Sequence, residues 1–209
     1  MTFTYQYSQP KEYHFSLDSV QMPLAVAEEL SSRKDLSSLK VLDLCAGCGV
    51  VGFELAWHLP QIRSVDFVEI QEVYSEHFND NLRIVNRPYL QTNFFLMNYE
   101  NLLTPEWKNR YDLILCNPPY FVPGQGKLSP SELKNRSRFY LDSSFSRLIE
   151  VIMWTLKADG EAYLLLRSLQ DHALNLENQI QEVLKGRGLH QKVGDIRGTD
   201  LLRIRPAFF

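Results

Sequence analysis

The chain has 209 residues, of which 44% are apolar and 22% charged, and its formal net charge is −3. This composition is typical of a globular chain that folds as one domain. No apolar stretch approaches the roughly 18 residues of a membrane-spanning helix, and residues 1–14 lack the basic start and apolar core of a signal peptide. We therefore expect a cytoplasmic protein.

Charge is unevenly distributed along the chain. Residues 1–120 contain 9 Lys and Arg against 15 Asp and Glu, whereas residues 121–209 contain 13 against 10. A basic second half is compatible with contact to phosphates and equally with ordinary solvated loops. The candidates for phosphate contact are the cations that follow position 120 most closely: Lys127, Lys134, Arg136 and Arg138.

Apolar runs alternate with segments of helical periodicity. Strands are predicted over 40–44, 64–69, 91–97, 111–116, 161–167, 189–195 and 200–208, and helices over 20–32, 50–58, 72–85, 144–157 and 170–186. The alternating aromatic residues of 1–19 indicate a short hairpin or a lid. Asp18 or Ser19 can cap the first helix. Residues 121–140 are predicted to form a mobile loop. Strands that alternate with helices predict a parallel sheet covered on both faces.

Four predicted strands end in a polar side chain, namely Asp43, Glu69, Asn98 and Asn117. Ligands of such sheets bind beyond the carboxyl ends of the strands, near the point where the strand order reverses. We therefore expect these four side chains to line one crevice.

The turn after the first strand carries the glycine pattern G-x-G-x-x-G at residues 47–52. Alone, the pattern indicates only a tight turn that lets a ligand approach the backbone ahead of a helix. Asp43 suits a cationic amino-acid head group better than a pyrophosphate, although it can also be a plain turn carboxylate. Glu69, at the end of the next strand, can bind both hydroxyls of an adenosine ribose. We therefore predict S-adenosylmethionine as cofactor, with further contacts from Cys45, Gly47, Gly49, Ile70, Asn98, Tyr99 and Asn117.

The three cysteines, Cys45, Cys48 and Cys116, do not predict a disulfide framework, because their number is odd. Cys45 and Cys48 have the spacing of a metal or redox pair, but the sequence has no second pair to complete a zinc site. We predict no metal.

Asn117-Pro118-Pro119-Tyr120 is the stretch that carries the predicted chemistry. A residue before proline is extended, so the Asn117 side chain should project past the sheet edge. Its amide oxygen and the Pro118 carbonyl can accept the two hydrogens of a planar amino group, while Tyr120 stacks on the attached ring. Two such acceptors favour the pyramidal nitrogen of a methyl-transfer transition state. The alternative is a plain proline turn.

Residues 41–49 resemble the first motif of class I S-adenosylmethionine-dependent methyltransferases, and the NPPY stretch 117–120 resembles the fourth motif of the branch that methylates exocyclic or amide nitrogens. Residues 13–19, and Phe121 with the loop containing Gly124, Gly126, Ser129 and Pro130, resemble the bacterial tRNA(Val) adenine-N6 methyltransferase family. Two departures are Cys45, where glycine is commoner, and residues 138–140, where a His-containing segment is expected.

The resemblance implies an α/β, Rossmann-like class I methyltransferase fold: a seven-stranded, mostly parallel sheet with helices on both faces. It divides the chain into an N-terminal access or lid segment, 1–35, and a single methyltransferase domain, 36–209. Asn117, Pro118 and Tyr120 are implied to act on the exocyclic amine of an adenine in RNA, with tRNA as the favoured partner. Phe121 and the four cations after it, chosen by their charge and their position after the motif, are the predicted RNA contacts.

We expect a monomer or weak homo-oligomer that needs neither membrane nor metal. The runner-up activity is protein glutamine N5-methylation, but that family carries a helical domain ahead of the first motif, where about 40 residues stand here. DNA methylation, cofactor binding without catalysis and NAD-dependent oxidation are further alternatives.

Overall fold

The protein is described by a computed structural model over residues 4–124, 127–167 and 176–207. In these ranges seven strands form one sheet, namely β1 (Lys40–Leu44), β2 (Ser64–Glu69), β3 (Gln91–Leu96), β4 (Tyr111–Cys116), β5 (Leu156–Leu166), β6 (Gly188–Ile196) and β7 (Thr199–Pro206). The helices are α1 (Asp18–Glu29), α2 (Val50–His58), α3 (Val73–Val85), α4 (Glu132–Arg138), α5 (Phe145–Thr155) and α6 (Leu176–Leu184), with short 3₁₀ turns at 36–38, 99–102 and 105–107.

The strands lie in the order β3-β2-β1-β4-β5-β7-β6. The five strands from β3 to β5 are mutually parallel, and β7 runs antiparallel to both of its neighbours, β5 and β6. The predicted seven-stranded, mostly parallel sheet is therefore confirmed. The strand order reverses between β1 and β4, which is where ligands bind in open sheets of this kind.

Hydrophobic residues pack against both faces of the sheet. Helices α1, α2 and α3 cover one face and form a first hydrophobic cluster that includes Met22, Val26, Phe53, Phe67 and Phe78. Helices α5 and α6 cover the other face and form a second cluster that includes Tyr111, Leu148, Ile152, Leu164 and Ile180. Burial on both faces explains why the central strands read as continuous apolar runs in the sequence, as in β1 and β4.

The N-terminal segment differs from its prediction. Residues 4–17 contain no strand, so the predicted hairpin is wrong there. The segment instead packs on the sheet-covering helices, where the hydroxyl of the buried Tyr7 donates to the fully buried Glu54 at 2.8 Å. Helix α1 begins after Leu17 without a side-chain cap, so the predicted cap by Asp18 or Ser19 is also wrong.

Two boundaries in the second half of the chain are corrected as well. The predicted loop 121–140 contains helix α4, which Ser131 caps by accepting the Lys134 N–H at 3.3 Å. Helix α5 ends at Thr155 and β5 begins at Leu156, five residues before the predicted strand, because Leu156 pairs with Tyr111 of β4 ahead of a shift in register. Residues 170–175 of the last predicted helix and residue 208 of the last predicted strand lie outside the described ranges.

Over the described part of the chain, no helix has the length and apolar character that crossing a membrane requires.

Candidate functional site

A cavity of about 330 Å³ opens at the carboxyl ends of β1, β2 and β4. Its wall joins the glycine turn, Glu69 and Ile70, Asn98 and Tyr99, and residues 117–121. The N-terminal segment and the end of α4 complete it, through Tyr13, Phe15 and Ser137 among others. The volume lies within the range of about 300–1,000 Å³ that is usual for small-ligand sites. Most of the predicted cofactor residues therefore share one space with the predicted acceptor residues.

The glycine turn is shaped by residues in the left-handed region of backbone space. Cys45, Gly47 and Gly49 have φ values of +63°, +54° and +85°. A Cβ added to Gly49 would lie 2.7 Å from a Phe53 ring carbon, whereas one added to Gly47 would meet nothing nearer than Tyr74 at 3.8 Å. Gly49 is thus required by packing, and Gly47 leaves room for a ligand beside the backbone. Cys45 takes the left-handed conformation despite its side chain.

Glu69 connects the end of β2 to this turn. One carboxylate oxygen accepts the Gly47 N–H at 2.8 Å, and the other accepts the N–H groups of Ile70 and Gln71 at 3.0 and 2.9 Å. Burial raises the pKa of Glu69, and these N–H donors and the Arg136 charge oppose the shift. Since two carboxylate oxygens offer about four acceptor positions and three N–H groups occupy three of them, capacity remains for one of the two predicted ribose hydroxyls.

Asp43 lies behind the turn and is fully buried. Its Oδ2 accepts the Gly52 N–H at 2.8 Å, while its Oδ1 is buried with no hydrogen-bond partner in the described chain. Burial raises the pKa of Asp43 to about 7, the Gly52 N–H opposes the rise and the Glu69 charge adds to it. Neither Asp43 nor Gly49 belongs to the part of the cavity wall that the structure describes. Direct contact of either with a cofactor stays a prediction.

An unpartnered carboxylate oxygen beneath an open glycine turn fits S-adenosylmethionine, whose amino-acid part carries an ammonium group. A cation at the turn would offset the cost of ionising Asp43. The open backbone at Gly47 and the Glu69 carboxylate would contact the remaining polar groups of the cofactor.

Asn98 and Tyr99 line the cavity with their polar atoms already engaged. The Asn98 side chain accepts the Glu100 N–H and donates to the Asp142 carbonyl, both at 2.9 Å, and the Tyr99 hydroxyl donates to the Ser144 carbonyl at 3.0 Å. These bonds hold residues 142–144 over the end of β3. A hydrogen bond from Asn98 to an adenine edge stays a prediction, and it would need spare acceptor capacity on Oδ1.

At the acceptor end, the Asn117 side chain projects beyond β4 into the cavity wall. Its Nδ2 lies 3.0 Å from the Ser19 Oγ, and its Oδ1 accepts the Tyr120 hydroxyl at 2.7 Å. Burial raises the pKa of Tyr120, which keeps the phenol neutral. The sequence predicts only a helix cap for Ser19, because a contact across 98 residues leaves no local signal.

The segment after the motif is held by backbone hydrogen bonds on both sides of Phe121. The N–H groups of Tyr120 and Phe121 donate to the Arg138 carbonyl at 3.1 and 2.9 Å, and the Phe121 carbonyl accepts the Tyr140 N–H at 2.8 Å. Above the cofactor end, the Ser137 hydroxyl lies 3.0 Å from the Tyr74 hydroxyl and accepts from Gln71 at 3.1 Å. Helix α4 thus roofs the cavity.

The four predicted phosphate contacts separate into different environments. Arg136 makes a two-point ion pair with Asp142, with both N–O distances at 2.9 Å. Arg138 lies at the cavity, with its guanidinium carbon 5.3 Å from the Phe121 ring centroid. Lys127 and Lys134 are not part of the described cavity wall. A fifth cation, Arg167, also lines the cavity, and no motif in the sequence marks it.

The cysteine thiols are all free. Burial raises the pKa of Cys48 to about 12 and also raises that of Cys116, which packs beside the Cys45 thiol. Buried thiols of high pKa are the unreactive kind. In the ranges that the structure covers, no group of three or more His, Cys, Asp or Glu side chains has the arrangement of a metal site.

Comparison with known proteins places this geometry in context. A family model described as Methyltransferase small domain matches residues 23–186. A tRNA1(Val) (adenine(37)-N6)-methyltransferase of Flavobacterium psychrophilum is 30% identical over 122 residues, covering 58% of this chain and 50% of that protein. A ribosomal protein uL3 glutamine methyltransferase of Bradyrhizobium diazoefficiens is 34% identical over 110 residues, covering 52% of this chain and 33% of that protein.

Among solved structures, the 16S rRNA N2 G1207 methyltransferase of T. thermophilus, in complex with AdoMet and guanosine, superposes with a TM-score of 0.66 at 19% identity, covering 94% of this chain and 45% of that chain. This likeness confirms the predicted Rossmann-like fold. The chain spans about half the length of the first curated relatives it matches.

Proposed function

The chain belongs to the Methyltransferase small domain family, of the S-adenosylmethionine-dependent class, and on this premise we propose that it methylates the exocyclic N6 amine of an adenine in RNA, with tRNA as the substrate class. The observation that carries the proposal is the single cavity that holds both Glu69 of the cofactor end and Asn117 of the acceptor end.

Asn117 and Pro118 are proposed to orient the amine. In the absence of a substrate, the Asn117 Oδ1 accepts the Tyr120 hydroxyl, and its Nδ2 is held near Ser19. An amide oxygen has two lone pairs, so a planar amino group can bind Oδ1 beside this hydroxyl while the Pro118 carbonyl takes its second hydrogen. Bound S-adenosylmethionine supplies an electrophilic methyl group. Since such a donor needs no prior deprotonation of the amine, the proton can leave to water afterward.

The target base has to leave its stack to reach this position, at a cost of a few kcal/mol. Stacking on the Tyr120 ring would offset that cost by about 1–3 kcal/mol. The side chain suits this role because its ring lines the cavity and its hydroxyl is fixed by Asn117 at 2.7 Å. Several curated relatives named as tRNA1(Val) (adenine(37)-N6)-methyltransferases support RNA as the polymer.

Protein glutamine N5-methylation is the second candidate. A side-chain amide presents a planar amino group similar to that of adenine, and one matched relative is named as a ribosomal protein uL3 glutamine methyltransferase. Both reactions would use Asn117 and Pro118 in the same way, so the acceptor has to be identified by its product.

The deciding experiment supplies labelled S-adenosylmethionine with total tRNA, ribosomal RNA or protein in separate reactions. The proposal expects label in tRNA, recovered after nuclease digestion as N6-methyladenosine. Label recovered as N5-methylglutamine, or as a different methylated nucleoside, would contradict it.

Asn117→Ala tests the role of the motif. We expect kcat to fall by roughly a hundredfold or more, by analogy with the loss of one preorganised polar contact, while calorimetry finds little change in S-adenosylhomocysteine affinity. Asn79→Ala, at an exposed asparagine on α3, is the matched control and should leave both quantities unchanged. Wild-type turnover in Asn117→Ala would remove Asn117 from the mechanism.

A further inference from the structure

We propose that Arg138 and Arg167 form a phosphodiester-binding site at the edge of the catalytic cavity and hold the backbone next to the methylated nucleotide. The inference rests on the proposed function, because it concerns the polymer that presents the base. Instead of the four phosphate contacts predicted from the sequence, the proposed site uses two arginines that contact the same aromatic ring.

The two guanidinium groups both lie against Phe121. The Arg138 guanidinium carbon is 5.3 Å from the centre of that ring and the Arg167 carbon is 5.9 Å away. All three residues line the cavity. An aromatic face attracts cations, so Phe121 holds two positive groups near each other without a carboxylate.

The charges of both arginines are uncompensated by carboxylates. Within the ranges described, neither Arg138 nor Arg167 has an ion pair, whereas Arg136, the third arginine of the cavity wall, is neutralised by Asp142 at 2.9 Å. Asp18, another carboxylate of the cavity wall, is 3.4 Å from Arg197. The Phe121 edge of the cavity is therefore net positive.

The fold fixes both arginines relative to the motif. The Arg138 carbonyl accepts the N–H groups of Tyr120 and Phe121, which attaches it to the catalytic segment itself. Arg167 directly follows β5, whose Leu164 pairs with Cys116, the last residue of β4. Since Asn117 follows Cys116, Arg167 emerges from the same edge of the sheet as the proposed catalytic amide.

Phosphate is the ligand that this chemistry fits. Guanidinium groups match phosphate oxygens with two parallel hydrogen bonds. A base stacked on Tyr120 carries its sugar and phosphates out of the cavity past the next residue, Phe121, where the two arginines lie. A glutamine side chain has no anion to place there. The site therefore selects a nucleotide within a polyanion.

The test measures RNA binding and methylation in Arg138→Gln, Arg167→Gln and the double variant. Arg83→Gln is the matched control, because Arg83 lies on α3 with 77% of its side chain exposed. A short RNA stem-loop of a methylated tRNA is the probe, with S-adenosylhomocysteine present for binding and S-adenosylmethionine for turnover. Unchanged S-adenosylhomocysteine affinity verifies that each variant is folded.

We expect each single variant to weaken RNA binding and raise KM about tenfold to a hundredfold, as for a lost charge-assisted hydrogen bond, with a smaller effect on kcat. The slope of log affinity against log salt should fall by about 0.7 for each single-stranded contact removed. Arg83→Gln should alter neither. Wild-type KM and salt slope in the double variant would overturn the inference.

Replacing single phosphates provides a second readout. Uncharged methylphosphonate linkages on either side of the target adenosine should weaken binding to the wild type but have little further effect on the double variant. Equal weakening of both proteins would contradict the site. Because binding is measured without turnover, failure of this inference is distinguishable from failure of the proposed reaction, which appears as a wild-type protein that methylates no RNA.

Discussion

Burial and ligand binding act in opposite directions on the pKa of Asp43. Its carboxylate is fully buried, and one of its oxygens has no partner in the described chain. Burial, with a further contribution from Glu69, raises its pKa to about 7, although the Gly52 N–H favours the ionised form. A cationic group bound at the turn would lower that pKa again.

This shift predicts pH-dependent cofactor affinity. If the ammonium-bearing ligand binds the ionised form, the affinity for S-adenosylhomocysteine should rise about tenfold from pH 6 to pH 8, because binding releases one proton. The ligand-free protein should lose stability as pH rises from the ordinary Asp range through about 7, since only the unfolded chain ionises readily there. Calorimetry and urea unfolding at several pH values measure the two effects. Asp43→Asn should remove both dependences, and equal pH profiles in the two proteins would exclude Asp43 as their origin.

At the scale of an element, the turn between β1 and α2 combines backbone geometry with packing. Gly49 caps α2 with φ of +85° and faces the Phe53 and Phe78 rings, which an added Cβ would approach to 2.7 and 2.9 Å. The same rings pack with Phe67 of β2. The glycine turn is therefore held by the first hydrophobic cluster as well as by Asp43 and Glu69.

Gly49→Ala and Gly198→Ala separate the contribution of backbone geometry from that of packing. Gly198, between β6 and β7, has a similar φ of +81° but no atom within 4 Å of an added Cβ. Gly198→Ala should cost only the left-handed backbone term of about 1–2 kcal/mol, whereas Gly49→Ala should cost about 1–3 kcal/mol more through overpacking. The free energies of unfolding in urea give the comparison. Equal losses would show that the phenylalanine rings yield without cost.

At the scale of the whole molecule, residues 4–35 of the N-terminal segment contribute to the hydrophobic core that packs on the sheet. Met22 and Val26 of α1 are fully buried in the cluster that contains Phe53 and Val41. The chain ahead of α1 is anchored as well, because the Ser8 N–H donates to the Asn81 side chain at 2.6 Å, and Asn81 also donates to the Cys48 carbonyl at 2.9 Å. A residue of the N-terminal segment is thereby linked to the glycine turn.

Met22→Ala should therefore destabilise the entire molecule by about 2–5 kcal/mol, the usual range for a truncated core side chain. Leu24→Ala, two residues away on the same helix at a side chain that is 40% exposed, should stay within about 0.5 kcal/mol of the wild type. Unfolding followed by tryptophan fluorescence and by circular dichroism should coincide in all three proteins. A separate early transition in Met22→Ala would indicate that α1 unfolds independently.

The sequence by itself determined the layered fold and the location of the site. Strand and helix periodicities predicted the parallel sheet, and the carboxyl ends of parallel strands necessarily share one edge. Glu69, Asn98 and Asn117 could therefore be assigned to one crevice before any coordinates, and all three line it. Local patterns suffice here because each signal lies within a few residues of its consequence.

Only the tertiary structure decided which partner each side chain has. It placed Asp43 behind the turn, paired Arg136 with Asp142, and brought Ser19 to Asn117 across 98 residues. It also put Arg167 beside Phe121, although no sequence pattern distinguishes that arginine from the other cations. These contacts arise because folding brings together segments that lie far apart in the chain. Whether a given charge or amide keeps a free hydrogen-bonding position is therefore decided only when all of its possible partners have taken their places.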